Sequence, residues 1–337
     1  MENIKTLLFE LSKRVTVGNI CEAADYAETE LSKFCECSRQ GNSIIGRFKG
    51  KGDYTLLLDA HIDEVAMIVT NVDENGFLTV AKCGGLDIRA LPSRPVTVHG
   101  KEKITAVFCS TPPHLSTSER EFKEISEIKL DTMLGTRAKE IISVGDYVTY
   151  SATPVSLKNN RVSGKSLDDR AGVACLLEIA RRLSGKELPF NVTILLSDSE
   201  ELGLRGAKTA AFKINPDEAV AVDVSFGDGP DISSDECGKL GDGAMIGICP
   251  SLDSGIYKKL LKIAKENNIK YQTEVMSEST GTNADVISVT RCGVRTGLIS
   301  IPLRNMHTET EVVDISDIAS VCDILEKYIL SGGVADA

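Results

Sequence analysis

Four short apolar runs in this chain each lead into acids or a histidine. Leu56-Leu57-Leu58 leads into Asp59-Ala60-His61-Ile62-Asp63-Glu64, and Val192-Thr193-Ile194-Leu195-Leu196 leads into Ser197-Asp198-Ser199-Glu200-Glu201. Ala219-Val220-Ala221-Val222 ends on Asp223, and the run through Leu298 and Ile301 is followed shortly by His307. Unbroken apolar runs of this length are buried strands. Between them stand amphipathic stretches with helical spacing, Asp168 to Leu183 and Ser254 to Asn268. Alternation of strand and helix predicts an α/β domain with a mainly parallel or mixed sheet covered by helices.

The middle of the chain has another character. From Thr70 to Thr153 the runs FLTVAKC, PVTVHG, KITAVFCS and DYVTYS are short, β-rich and separated by Gly, Pro or charged turns, with one helical stretch near Ser118 to Ile128. The expected organisation is therefore a discontinuous α/β domain from residues 1–69 and 154–337, with a small β domain at 70–153 inserted into it. The chain opens with helical patterns at its start and from Asn19 to Phe34, followed by the strand SIIGRF.

Composition removes several alternatives. A net charge of −11 repels nucleic acid and anionic lipid, and no basic cluster with interleaved aromatics offsets it. No apolar run approaches the roughly 20 residues that cross a bilayer, so no membrane association is expected. The ten cysteines are scattered, and no second pair near Cys35-Glu36-Cys37 completes a zinc-knuckle spacing. They suit reduced thiols and a cytoplasmic protein.

The chemistry rests on five groups. Residues two apart in a strand share a face, so His61 and Asp63 project together, and a carboxylate there can orient an imidazole for a metal. Ser166-Leu167-Asp168-Asp169-Arg170 opens a helix. Of the adjacent Glu200 and Glu201, one can bind metal while the other stays free to move a proton. Asp223 and His307 follow the remaining strands. Taken singly, each has a plainer role as a polar strand end, a helix cap or a solvated acidic turn. Together they gather at the carboxyl ends of strands, where open α/β sheets bind ligands. Two histidines with several carboxylates and no cysteine suit two zinc, cobalt or manganese ions better than one structural zinc. His99 and His114, in the insert, have no acidic strand ends beside them and read as structural or surface residues. Thr280-Gly281-Thr282-Asn283 and Gly241-Asp242-Gly243 read as turns near a site. No serine sits in a Gly-x-Ser-x-Gly elbow.

The motifs AHIDEVAMIV, GKSLDDRAG, SEELGLRGA, AVDVS, GTNAD and PLRNMHTETEVV, with GGLD, STPPHL and VGDYVTY in the insert, span nearly the whole chain. In this order they resemble the tetrahedral aminopeptidase family of dimetal metallopeptidases. The resemblance implies a zinc-peptidase-like mixed sheet sandwiched by helices with an inserted small β-barrel-like domain. It implies hydrolysis of the first peptide bond of short peptides with a free N-terminus, two divalent metal ions per chain, and self-association into a dodecamer. His61 then corresponds to a ligand of the first metal, Asp168 to the bridging carboxylate and Asp223 to the other ligand of the first. Glu201 and His307 correspond to ligands of the second, Glu200 to the general base and Asp63 to the residue steadying His61. The chain departs from the family's usual pattern at Ala66, Thr280, Asn283 and Asn305. The same ligands would also serve another dimetal amidohydrolase, a deacylase or a carboxypeptidase, and a non-catalytic assembly protein is the alternative outside enzymes.

Overall fold

The computed structural model describes residues 1–115, 124–230 and 232–334. An 11-stranded mixed sheet forms its centre. Along the main path the strands run Val155–Ser156, Arg161–Gly164, Glu311–Asp314, Arg295–Arg304, Glu218–Phe226, Thr55–His61, Asn191–Ser197, Ser43–Phe48 and Glu36–Gln40. Ala244–Ile248 and Tyr271–Val275 attach beside Arg295–Arg304. The four strands from Arg295–Arg304 to Asn191–Ser197 are mutually parallel, so their carboxyl ends open on one edge of the sheet. The other strands of the main path run antiparallel to their neighbours, while Ala244–Ile248 and Tyr271–Val275 pair parallel with each other.

Those parallel strands are apolar throughout because both faces are covered. In Thr55–His61, Leu56, Leu58 and Ala60 pack into the large core, which also contains residues of the helices Glu2–Ser12, Glu22–Leu31, Leu167–Leu183, Ser254–Glu266 and Ile315–Leu330. Leu57 faces the other way, against Ala207, Ala210 and Ala211 of helix Arg205–Ile214 and Ile287 of helix Ala284–Ser288. Truncating a fully buried leucine such as Leu58 costs about 2–5 kcal/mol. The helices Arg205–Ile214 and Ile315–Leu330 add to the elements expected from sequence.

The inserted segment closes into a six-stranded barrel in the order Leu130–Asp131, Phe77–Cys83, Ala66–Val72, Tyr147–Tyr150, Pro95–His99, Lys103–Phe108. Its core is separate: Met67, Val69, Leu78, Val80, Val96, Val98 and Phe108 alternate inward along the strands. The first barrel strand begins at Ala66, ahead of the boundary expected at residue 70. Most of the helix expected near Ser118 lies outside the described residues, and only a short 3₁₀ turn, Ile125–Glu127, is seen at its end.

Candidate active site

Each of the four parallel strands delivers a polar group to the same edge. Thr55–His61 ends on His61, which is 2 % exposed. Beyond it the chain places Asp63 so that Oδ1 lies 3.5 Å from His61 Nδ1. Asp63 also accepts hydrogen bonds from the amides of Glu200 and Glu201, at 3.0 and 3.2 Å. One carboxylate thus stands beside the imidazole and holds the loop that carries the paired glutamates. The opposite ring nitrogen of His61, Nε2, lies 2.9 Å from Asp168 Oδ1.

Asp168 sits at the start of helix Leu167–Leu183, where the Asp168–Asp169 peptide is cis. Its other oxygen, Oδ2, is 3.3 Å from His307 Nε2, and Glu201 Oε1 is also 3.3 Å from that nitrogen. The structure therefore brings together His61, Asp168, Glu201 and His307, with Asp168 between the two imidazoles. Ligand atoms of His61, Asp168 and Glu201 all lie within 4.8 Å of one another. Asp223 and Glu200 line the same cavity, of about 920 Å³. The Asp223 carboxylate accepts a hydrogen bond from the next amide, Val224, at 2.8 Å. His99 is instead bound within the barrel, 2.9 Å from Thr149 Oγ1, and His114 is exposed.

Several residues that hold this arrangement escape inspection of the sequence. Glu311 accepts from the amides of Leu167 and Asp168 at 2.6 and 3.2 Å, and with its second oxygen from the amide of His307 at 2.8 Å. It ties two proposed ligands to one buried carboxylate. The signal was its place at the start of strand Glu311–Asp314, inside the motif that carries His307. Asn283 Nδ2 donates to Asp59 Oδ2 and to Ser197 Oγ, at 2.8 and 2.9 Å, so the Thr280–Asn283 turn is fastened to the floor of the site. Glu64 is buried with Lys165, which lies 2.5 Å away, and also accepts from Ser166, bracing the backbone that leads into Asp168. From the barrel, Gly85 O lies 2.9 Å from His307 Nδ1, and Tyr150 Oη donates to His307 O at 3.5 Å. A Cβ on Gly85 would stand 2.7 Å from His307 Nδ1, so the ring can approach only because this residue is glycine.

The electrostatics are those of an uncompensated acidic site. Burial disfavours a charged imidazole, yet the hydrogen bonds it donates to Asp168 and Glu201 outweigh it and hold His307 up at about 11. His61 is raised in the same way against its own burial, chiefly by Asp168 and Asp63. Burial, together with the charge of Asp169, pushes Asp223 well above the carboxylate range. Glu200 is pushed up to about 7, first by burial and then by neighbouring carboxylates that outweigh His61. No lysine or arginine is among the described residues lining the cavity. Imidazoles directed by second carboxylates, facing more carboxylates with no fixed cation between them, form a donor set that fits divalent metal.

Known proteins place this geometry. The family described as M42 glutamyl aminopeptidase matches residues 41–324. Among curated relatives, a lysyl aminopeptidase of Pyrococcus furiosus is 30% identical over 297 residues, covering 85% of this chain and 84% of its own. A glutamyl aminopeptidase of Lactococcus lactis is 29% identical over 288 residues, covering 82% of this chain and 80% of its own. Among solved structures, the TET1 peptidase of Pyrococcus horikoshii, which can assemble into a tetrahedron or a large octahedral shell, superposes with a TM-score of 0.86 at 26% identity, over 97% of this chain and 99% of that one. With a match that covers most of the chain and a sheet edge that gathers the family's motifs, this protein belongs to the M42 glutamyl aminopeptidase family of metallopeptidases.

Proposed function

We propose that this protein is an aminopeptidase that releases the first residue of short peptides with a free N-terminus, using two divalent ions per chain. One observation carries the reading: Asp168 presents one oxygen to each of two imidazoles, 2.9 Å from His61 and 3.3 Å from His307. His61, Asp168 and Asp223 would hold one ion, and Asp168, Glu201 and His307 the other, with zinc, cobalt or manganese suited to these donors. When bound, such ions supply Lewis acidity and lower the pKa of water towards neutrality. Asp63 keeps His61 turned with Nε2 towards Asp168 and fixes the backbone of Glu200. Glu200, which lines the cavity and is not a ligand in this assignment, takes the proton of the attacking water and hands it to the leaving amine. The neighbouring carboxylates receive the substrate's α-ammonium, which sets cleavage at the first bond.

Self-association into a dodecamer is part of the proposal, with the barrel as its contact surface. Apolar side chains stand exposed on the insert, Leu115 at 73%, Met133 at 82% and Val144 at 66%. Exposed apolar groups of this size mark interaction surfaces when they cluster. All ten cysteines are free, as a reducing cytoplasm would keep them. No helix among the described residues is long and apolar enough to cross a membrane.

The test is metal analysis of the purified protein, followed by assay of matched peptides with free and acetylated N-termini after adding back each ion. Release of the first residue from free peptides alone is expected. Preference for the acetylated peptides would replace the aminopeptidase with a deacylase, and release from the other end would make it a carboxypeptidase.

A further inference from the structure

The two curated relatives carry opposite names, lysyl and glutamyl, at nearly equal identity, so the preferred first residue must be read from this chain's own cavity. Past the proposed metal ligands, the wall of the cavity continues along strand Glu218–Phe226. Asp223 and Ser225 are two apart and share a face of the sheet. Ser225 Oγ donates to Glu274 Oε1, and Ser300 Oγ, from the next strand, donates to Glu274 Oε2 at 2.7 Å. Ser300 is registered directly opposite Asp223. Glu274 is therefore fixed one pleat beyond a proposed ligand, on the same wall.

A carboxylate offers about four acceptor positions, and the two hydroxyls occupy two of them. Nothing among the described residues supplies the charge that Glu274 lacks: its surroundings provide burial and the two serines, and no lysine or arginine lines the cavity. Asp235 and Glu236 line the same cavity from an exposed segment. The wall also carries the apolar side chains of Phe226, Met245, Met276 and Met306 among neutral hydroxyl residues, and Met245 stands opposite Ser300 in the sheet. An unbranched aliphatic stem fits flexible methionine walls, and a cation at its end would meet Glu274. An acidic side chain would meet three carboxylates with no partner. The chain's net charge of −11 favours the approach of cationic peptides from a distance.

We propose that this cavity selects peptides whose first residue is lysine or arginine, with the stem against the methionines and the cation bound by Glu274, assisted by Asp235 and Glu236. The inference rests on the aminopeptidase reading, because it assumes that the α-amine sits at the metal-site carboxylates. Every substrate carries that α-amine, so its contribution cancels when first residues are compared.

The test uses the metal-loaded protein and amides of lysine, arginine, norleucine and glutamate with one leaving group. Lysine is norleucine with an ammonium added, so that pair isolates the charge. The expected kcat/KM for lysine exceeds that for norleucine by about tenfold or more, the scale of one charge-assisted hydrogen bond, and glutamate is the poorest. Glu274→Gln should bring the lysine-to-norleucine ratio close to one, and Glu274→Asp should retain part of it. Equal or faster hydrolysis of norleucine would overturn the cation site and leave the aminopeptidase standing. A Glu274→Gln variant that slows lysine and norleucine equally would overturn the assignment to Glu274, since a purely structural role does not change the ratio. Failure to hydrolyse any of the four, with metal bound, would remove the aminopeptidase reading itself and this inference with it.

Discussion

The sandwich of sheet and helices and the all-β barrel each enclose an apolar core, yet the proposed chemistry lies in one of them. In the sandwich, four adjacent parallel strands all point their carboxyl ends to the same edge, so His61, Glu200, Glu201, Asp223 and His307 arrive together from strands far apart in sequence. In the barrel every pairing is antiparallel, successive strands end on opposite rims, and closure leaves no edge crevice. Direction of pairing, rather than β content, decides where ligands can be gathered. The separation is nevertheless incomplete. The barrel offers Gly85 O and Tyr150 Oη to the His307 segment, so it helps to position a group it does not own.

The strongest test of this contrast is removal of metal. Chelation should abolish hydrolysis while the barrel and sheet stay folded, seen as an unchanged far-ultraviolet circular dichroism spectrum, and zinc, cobalt or manganese should restore the rate. Full activity in metal-free protein would break the sandwich half of the comparison. Next comes the glutamate pair. Glu200→Gln should lower turnover by about 10²–10⁴ with metal content intact, because the amide cannot accept a proton. Glu201→Gln should instead lose metal and recover partly when metal is added in excess. The roles are reversed if Glu200→Gln is the variant that loses metal and is rescued.

A smaller effect would show how far the barrel reaches into the site. Gly85→Ala puts a methyl against the His307 ring and should cost about 10–100-fold in metal affinity or activity, the usual scale for groups that orient a ligand. Equilibrium dialysis against zinc measures it, and an unaltered affinity and rate would make the two units independent. The smallest effect on chemistry belongs to the barrel's outer surface. Met133→Glu and Val144→Glu should shift light scattering to smaller particles while each site keeps its rate on a dipeptide within about twofold. Particles of unchanged mass would move the assembly contact elsewhere.

Much of this organisation is legible in sequence because it is local. A buried strand followed by an acid or histidine is a pattern within ten residues, which is why His61, Glu200, Glu201 and Asp223 could be singled out. Asp59 is harder to see, since a lone acid inside Leu56-Leu57-Leu58-Asp59-Ala60 has no meaning until Asn283 is brought against it, at 2.8 Å. Glu311 and Gly85 lie inside recognisable motifs, but their roles are hidden for the same reason: their partners are Asp168 and His307, and only the sheet order and the barrel's docking make them neighbours. The helix Ile315–Leu330 does carry a local signal, with Asp314 as its cap and apolar residues at Ile318, Val321, Cys322, Leu325 and Ile329, though it is absent from the sequence expectations. The substrate wall is the least legible part, because Glu274, Ser225 and Ser300 come from three separate strands.

The bonds from Glu311 to both Asp168 and His307 also set an order of events during synthesis. The barrel is one continuous stretch whose strands pair with others from the same stretch, so it can close while the rest of the chain is still being made. The sandwich cannot: its strand Thr55–His61 waits for Asn191–Ser197 on one side and Glu218–Phe226 on the other, and Glu311, the carboxylate that holds two of the proposed ligands, is made later still. A nascent chain would therefore carry a finished barrel beside an unfinished mould, and the proposed metal site would be complete only after the strand that begins at Glu311 has emerged.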